Sequence, residues 1–286
     1  LKKIKKINYD VILEQLTLTN WLQKKGVPVP KIFKPSNLTT ELINFNGNLY
    51  YLMEFVDGEY YKGNEDSLVN TFSEIVNLYK ELKLAPKRII SYKNNTYSPI
   101  SFDKVIREVE TKKKDWKYFF GEYSEQLNYS WNKIRKTVDF LINNEDKFLT
   151  SSFGICHTDI HPHNLLMKGD KVTSILDFSS FMYGSINSSI SYGLFKLARQ
   201  KLVFEGGINY NIFNDIDKVI KLLKKEELLT TNEDFLFFSQ MEIIRRLILI
   251  LDLNLNQENK EWNEILPIQI NSLNESEYIF QKTDIK

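Results

Sequence analysis

The residues best suited to do chemistry lie between positions 154 and 177. A short apolar stretch leads to His157, Asp159 and Asn164, and a second apolar stretch ends in Asp177. The Asp159 carboxylate could accept a proton from a hydroxyl group. The Asn164 amide oxygen and the Asp177 carboxylate are oxygen ligands of the kind that Mg²⁺ prefers. A base beside a magnesium site predicts phosphoryl transfer from a nucleotide.

The order of residues in this segment is similar to a pattern found in a known family of enzymes. It reads His157-Thr158-Asp159-Ile160-His161-Pro162-His163-Asn164, and Asp177-Phe178 follows. This pattern resembles the catalytic loop and the metal-binding Asp-Phe pair of the aminoglycoside phosphotransferase and choline kinase family, which are small-molecule kinases with a protein-kinase-like fold. Protein kinases would have Arg at position 158 and Lys at position 161, where this chain has Thr and His. The resemblance therefore favours a small-molecule kinase.

The resemblance implies a role for each residue of the segment. Asp159 would be the catalytic base, and ATP would be the phosphate donor. Asn164 and Asp177 would hold Mg²⁺. His157 and His161 would lie on the loop at the substrate side, where His157 fixes the loop by hydrogen bonds. His161 could contact the substrate or pack within the loop.

The resemblance also implies nucleotide-binding residues near the N-terminus. Lys2 is similar to the strand lysine that contacts the α- and β-phosphates, with Glu14 on the following helix as its partner. Glu54 and Phe55 would belong to the hinge that binds the adenine edge. The alternatives are a solvated basic strand end for Lys2, an exposed helix residue for Glu14, and a buried strand for the hinge segment.

Hydrophobic periodicity predicts an α+β chain. Strands are predicted at 40–45 and 48–55, on either side of a tight Asn46-Gly47 turn. Apolar residues spaced by three and four predict helices at 10–25 (with Asp10 as N-cap), 68–82, 127–141, near 194–197, at 212–223 and at about 233–253. A further hairpin is predicted at Lys168-Gly169-Asp170. The resemblance implies a two-lobed protein-kinase-like fold, with a small mixed lobe at 1–57 and a larger, mostly helical lobe at 58–286.

The small lobe is expected to be incomplete at its N-terminus. No glycine-rich loop precedes Lys2, so we expect the first strands of the family and the loop that covers the phosphates to lie upstream of Leu1. Residues 1–286 alone would then bind nucleotide weakly and transfer phosphate poorly.

Composition argues against several other classes of protein. Hydrophobic residues make up 42% and aromatic residues 13% of the chain, enough for a substantial core. The net charge of +1 provides no basic field for nucleic acid or an acidic membrane. A single cysteine excludes an intramolecular disulfide framework, and the apolar run at 247–251 is too short to cross a bilayer. We expect a cytoplasmic protein whose partner is a small-molecule hydroxyl acceptor, without a nucleic-acid or membrane partner. The acceptor and the oligomeric state stay open.

One alternative is a weak or inactive relative. The family often has an acidic residue two positions after the metal-binding Asp, where this chain has Ser179. Relatives also carry an Asp beyond position 184 that braces the catalytic loop, and Ser188, Ser189 and Ser191 occupy that neighbourhood here. Such a protein would serve in binding or assembly, as spore-coat proteins of similar architecture do.

A second alternative is a metal-dependent hydrolase. His157, Asp159 and His161 are close enough in sequence to be ligands of a catalytic metal. Zinc hydrolases normally draw further histidines from elsewhere in the chain, and all three histidines of this chain lie in one short segment.

Overall fold

The structure, a computed structural model, describes residues 1–4, 9–64, 67–86, 98–177, 179, 181–206, 210–228, 232–257 and 260–281. Two compact units are present. The first comprises Leu1–Asn95, Phe153–Ile186 and Lys196–Leu228, and the second comprises Thr96–Ser152, Asn187–Phe195 and Leu229–Lys286. The predicted division into residues 1–57 and 58–286 stays a prediction.

Strands and helices are numbered in chain order. The strands are β1 (Lys2–Lys3), β2 (Ile32–Phe33), β3 (Leu42–Phe45), β4 (Asn48–Met53), β5 (Glu59–Tyr60), β6 (Phe153–His157), β7 (Leu165–Lys168), β8 (Lys171–Ile175) and β9 (Phe181–Ser185). The helices are α1 (Tyr9–Lys24), α2 (Ser67–Leu84), α3 (Pro99–Thr111), α4 (Trp116–Phe120), α5 (Ser124–Asn143), α6 (Glu145–Leu149), α7 (Ile186–Phe204), α8 (Tyr210–Lys225), α9 (Asn232–Gln257) and α10 (Leu266–Gln281).

The tight hairpin predicted at Asn46-Gly47 is confirmed. β3 and β4 pair antiparallel around this turn, and the two turn residues have φ angles of 49° and 73°. Two consecutive positive φ angles give a turn whose twist matches that of the flanking strands. β1 and β2 also pair antiparallel with β4, which makes β4 the central strand of this sheet. β4 ends at Met53, two residues before the predicted end.

α1 packs its apolar face against this sheet. The buried cluster consists of Ile12, Leu16, Ile32, Leu42 and Tyr51. Removing these side chains from water contributes about 25 cal/mol per Å² of apolar surface. The helix begins at Tyr9, so Asp10 lies within its first turn rather than at the predicted N-cap position. A carboxylate there still interacts favourably with the positive end of the helix dipole.

The other strands of the first unit frame a loop between β6 and β7. β6 pairs antiparallel with β9, while β7 pairs with both β5 and β8. The predicted hairpin at Lys168-Gly169-Asp170 is confirmed, and Gly169 has a φ angle of 61°. α2 packs against β6, β8 and α8. Both ends of the β6–β7 loop are therefore held by paired strands.

The second unit is helical. α9 packs against α3, α5 and α10, and α5 also contacts α3 and α10. The helices predicted at 127–141 and at about 233–253 correspond to α5 and α9. The apolar run at 247–251 lies within α9, with most of its side chains buried. Among the described residues, no helix combines the length and apolar character needed to cross a membrane.

Candidate active site

Asn164 organises the loop between β6 and β7. This residue closes a 3₁₀ turn, Pro162–Asn164, at the end of the loop. Its side-chain Nδ2 donates to the backbone oxygen of Asp159 at 2.8 Å and lies 3.5 Å from Asp159 Oδ2. Its backbone oxygen accepts from the amide of Leu176 at 2.8 Å, directly before Asp177. Asn164 therefore contacts Asp159 and the chain segment that carries Asp177.

His157 connects the same two segments. Its ring is fully buried, and Nε2 donates to the carbonyl oxygen of Leu176 at 2.8 Å. Nδ1 accepts from the backbone amide of Asp159 at 3.2 Å. Burial lowers the imidazole pKa from its usual 6.5, although the hydrogen bond to Leu176 and the nearby carboxylates act in the opposite direction. The ring is therefore neutral at pH 7, and both nitrogens hold the backbone.

His161 contacts the side chain of Asp159. Its Nε2 lies 3.4 Å from Asp159 Oδ2, and its Nδ1 accepts from the backbone amide of His163 at 3.3 Å. His163 is exposed, and its ring meets Tyr60 edge to face with 5.3 Å between ring centroids. His161 therefore lies between the carboxylate and the turn that follows it.

Asp177 has a strained backbone. Its φ angle is 59°, a conformation that residues other than glycine rarely adopt and that costs about 1 kcal/mol or more. The Ser179 hydroxyl donates to Asp177 Oδ1, and the Gln15 side chain of α1 donates to the Ser179 carbonyl oxygen at 3.3 Å. Sequence reasoning missed Gln15, because nothing in the pattern of α1 separates it from other polar positions. Phe178 of the predicted Asp-Phe pair lies outside the described residues.

Lys2 and Asp177 both lie near Tyr51. Lys2 pairs with Tyr51 across β1 and β4, so the two side chains share one face of the sheet. Burial raises the pKa of the Tyr51 hydroxyl, a hydrogen bond with Lys2 lowers it, and Asp177 raises it further. No ion pair joins Lys2 to Glu14 where the structure describes both residues, so their predicted partnership stays a prediction. Sequence reasoning missed Tyr51, whose proximity to Asp177 arises only in the fold.

A cavity of about 700 Å³ lies beside the predicted hinge. The Glu54 amide donates to the Lys31 carbonyl oxygen at 2.8 Å, while Glu54 Oε2 accepts from the Lys31 amide at 3.2 Å. Phe55 is 92% exposed. Hinge and loop residues form much of the cavity wall, including Met53, Glu54, Phe55, Leu166 and Leu176. The volume lies within the range of ligand pockets in proteins.

The geometry argues against the hydrolase alternative. Within the described residues, no group of three or more His, Cys, Asp or Glu side chains is placed to hold a metal ion. His157 uses its two ring nitrogens for backbone hydrogen bonds. The prediction of a metal site formed by His157, Asp159 and His161 is therefore wrong.

Comparison with known proteins identifies the family. The sequence profile of the APH phosphotransferase enzyme family matches residues 3–186, well over half of the chain. The chain belongs to this family. The resemblance seen in the catalytic-loop residues is thereby confirmed. As a member of this family, the protein is a small-molecule kinase. No curated protein matches the sequence.

Solved structures of this family of enzymes show the same fold. The AMP-bound spectinomycin phosphotransferase APH(9)-Ia has a TM-score of 0.66 and 14% identity, covering 99% of this chain and 87% of that one. The amicoumacin kinase hAmiN, in complex with AMP-PNP, Ca²⁺ and Ami, has a TM-score of 0.60 and 12% identity, covering 96% and 79%. The GDP complex of aminoglycoside 2′-phosphotransferase-IIIa has a TM-score of 0.56 and 14% identity, covering 94% and 82%. The chain therefore has the mixed α/β fold of these kinase-like enzymes.

Proposed function

We propose that this phosphotransferase moves the γ-phosphate of ATP to a hydroxyl group of a small molecule. The observation that carries the proposal is the set of hydrogen bonds around Asn164. Through them one residue contacts both Asp159 and the backbone directly before Asp177. A base and two oxygen ligands for a cation, held together by a loop of the kinase type, have the composition of a phosphoryl-transfer site.

Asp159 is the base in this proposal. The acceptor oxygen attacks the γ-phosphorus, the bond between that phosphorus and the β–γ bridging oxygen breaks, and ADP leaves. Asp159 orients the acceptor hydroxyl and takes its proton. A carboxylate of ordinary basicity suffices for this step, because the transition state is loose and the proton moves late. Most of the rate enhancement then comes from positioning and from neutralising charge on the phosphoryl oxygens.

Asn164 and Asp177 are the proposed Mg²⁺ ligands. The Asn164 amide nitrogen is directed at Asp159, so its amide oxygen is the atom that a cation would bind. One carboxylate and one amide suit Mg²⁺, which keeps several waters and binds substrate phosphates as well. When bound, the ion would neutralise charge on the β- and γ-phosphates. A divalent ion accompanies AMP-PNP in the amicoumacin kinase structure, which supports this choice.

The cavity beside Glu54 and Phe55 is the proposed site of the nucleotide base. In this proposal Lys2 contacts the α- and β-phosphates, with Glu14 on the adjacent helix as its predicted partner. Residues 1–57 would form the small nucleotide-binding lobe of a two-lobed fold, and residues 58–286 the helical lobe. Complexes of similar structures with AMP, ADP and AMP-PNP support the binding of a nucleotide.

The acceptor is proposed to be a hydroxylated small molecule of the aminoglycoside, amino-alcohol or sugar type. Similar structures are described in complex with spectinomycin, streptomycin and kanamycin, each on its own enzyme. The decisive experiment is a panel of such acceptors incubated with γ-labelled ATP and Mg²⁺. Label should appear in one acceptor class together with stoichiometric ADP, and the Asp159→Asn protein should serve as the negative control. Absence of transfer to every acceptor and to water, in a folded protein, would contradict the proposal.

A further inference from the structure

His161 is held in one tautomer by the turn that it begins. Its side chain caps the 3₁₀ turn Pro162–Asn164, where Nδ1 accepts the backbone amide proton of His163 at 3.3 Å. A neutral imidazole carries one proton, so a nitrogen that accepts a hydrogen bond places that proton on the other nitrogen. The Nε2 atom of His161 is therefore the donor.

That nitrogen lies close to the proposed base. Nε2 of His161 lies 3.4 Å from Asp159 Oδ2, and Nδ2 of Asn164 lies 3.5 Å from the same oxygen. Two side-chain nitrogens from opposite ends of one short turn thus lie near a single carboxylate oxygen. Donor contacts of this length in a free enzyme typically shorten in the substrate complex.

We infer that His161 is a positioning residue, which holds Asp159 through Oδ2 so that Oδ1 takes the proton of the acceptor hydroxyl. The inference rests on the proposed function and goes beyond it by assigning separate tasks to the two carboxylate oxygens. The sequence leaves two roles open for His161, contact with the substrate and packing in the loop. The inference assigns His161 to the loop, where it holds Asp159. The Asp159 side chain is 30% exposed, so without these donors it would rotate more freely. A base that rotates is aligned with the hydroxyl for a smaller fraction of the time.

Two substitutions separate the tasks of the two ring nitrogens. His161→Asn places an amide oxygen near the position of Nδ1, and Asn is among the best capping residues. It therefore keeps the cap and removes the donor to Asp159. His161→Gln places an amide nitrogen near the position of Nε2, so it keeps the donor and loses the cap. Each variant is the matched control of the other.

The measurement is steady-state phosphate transfer from ATP and Mg²⁺ to an acceptor found by the panel, and to water when no acceptor is present. His161→Asn should lower kcat by about tenfold, the scale of losing one hydrogen bond to a charged group, with the KM values of ATP and acceptor unchanged. Its thermal unfolding midpoint should equal that of the wild type. His161→Gln should keep most of kcat despite a lower unfolding midpoint.

Three results would overturn the inference. Full kcat in His161→Asn, together with a loss in His161→Gln, would make His161 a structural cap only. A higher acceptor KM with unchanged kcat in both variants would make it a substrate contact. A further tenfold loss from His161→Asn in the Asp159→Asn background would show that it does not act through Asp159.

The same assays separate this inference from the proposed function. A wild-type protein that transfers phosphate, with a His161→Asn variant of equal kcat, overturns only the role of His161. A folded wild-type protein that transfers phosphate neither to an acceptor nor to water overturns the proposed function and the inference together.

Discussion

Asp159→Asn should separate the chemistry of the site from its structure. His161 Nε2 and Asn164 Nδ2 both contact Asp159 Oδ2, at 3.4 Å and 3.5 Å. An asparagine oxygen can occupy the Oδ2 position and accept from the same two donors. The Asp159 backbone makes two hydrogen bonds that do not involve the substituted side-chain atoms. Its carbonyl oxygen accepts from Asn164 Nδ2, and its amide donates to His157 Nδ1. The variant should therefore fold and bind ATP as the wild type does, but it cannot accept the hydroxyl proton.

The expected loss of turnover is large. Removing a positioned general base costs about 10²- to 10⁴-fold, which corresponds to about 3 to 5 kcal/mol of activation free energy. Asp159→Ala should lose as much turnover and also some stability, because the contacts of His161 Nε2 and Asn164 Nδ2 with Oδ2 are lost, while Asn164 keeps its hydrogen bond to the backbone oxygen of residue 159. The site is 30% exposed, so water replaces much of that contact and the stability loss should stay near about 1 kcal/mol.

Single-turnover transfer from labelled ATP measures the chemical step, calorimetry measures ATP binding, and urea titration measures stability. Turnover of Asp159→Asn within about threefold of the wild type, with a verified acceptor, would remove Asp159 from the role of base. Loss of folding or of ATP binding in this variant would show instead that the carboxylate is structural.

Three further predictions concern the proposed metal ligands, one glycine and one histidine. Asp177→Ala should abolish the Mg²⁺ dependence of ATP binding more completely than Asn164→Ala, because a carboxylate contributes a charge and an amide only a dipole; calorimetric titrations with and without Mg²⁺ test this. Gly63→Ala should lower the free energy of unfolding in urea by about 2 kcal/mol or more. The reason is that Gly63 has a φ angle of 90° and an added Cβ would lie 2.5 Å from the Cα of Lys201. His157→Gln should remove a pH dependence of stability. Burial holds the pKa of this imidazole below 6.5, so the unfolded chain binds a proton that the folded chain does not. Wild-type stability in urea titrations should therefore fall by up to about 1.4 kcal/mol per pH unit as the pH drops below the unfolded value.

Each of these predictions has a control. Gly169 has a φ angle of 61°, and no atom lies within 4 Å of an added Cβ. Gly169→Ala therefore lowers the free energy of unfolding only by the cost of a positive φ angle in alanine, without a steric clash. Equal losses in the two glycine variants would refute the steric argument. Equal Mg²⁺ dependence of ATP binding in the Asp177 and Asn164 variants would refute the ranking of the ligands. The same acid slope of stability in wild type and His157→Gln would show that the buried ring does not cause it.

The sequence predicted those parts of the fold that local patterns specify. The Asn46-Gly47 turn is a short-range signal, because few dipeptides adopt two positive φ angles in succession. α2, α5 and α9 repeat apolar residues at helical spacing, and this pattern persists whatever surrounds the helix. β9 was not predicted, because its interior Gly184 weakens the strand pattern and its partner β6 is distant in sequence. α10 was not predicted either, since its serines and asparagines have poor helix propensity.

The grouping of Asp159, Asn164 and Asp177 could be predicted from their spacing in the sequence, because a short loop between two strands leaves few ways to arrange such residues. What surrounds these residues depends on the tertiary structure. It brought the Tyr51 hydroxyl to Lys2 and near Asp177, and it connected α1 to Ser179 through Gln15. These contacts join residues that are far apart in the chain. They depend on how helix and sheet pack, and no local pattern encodes that packing.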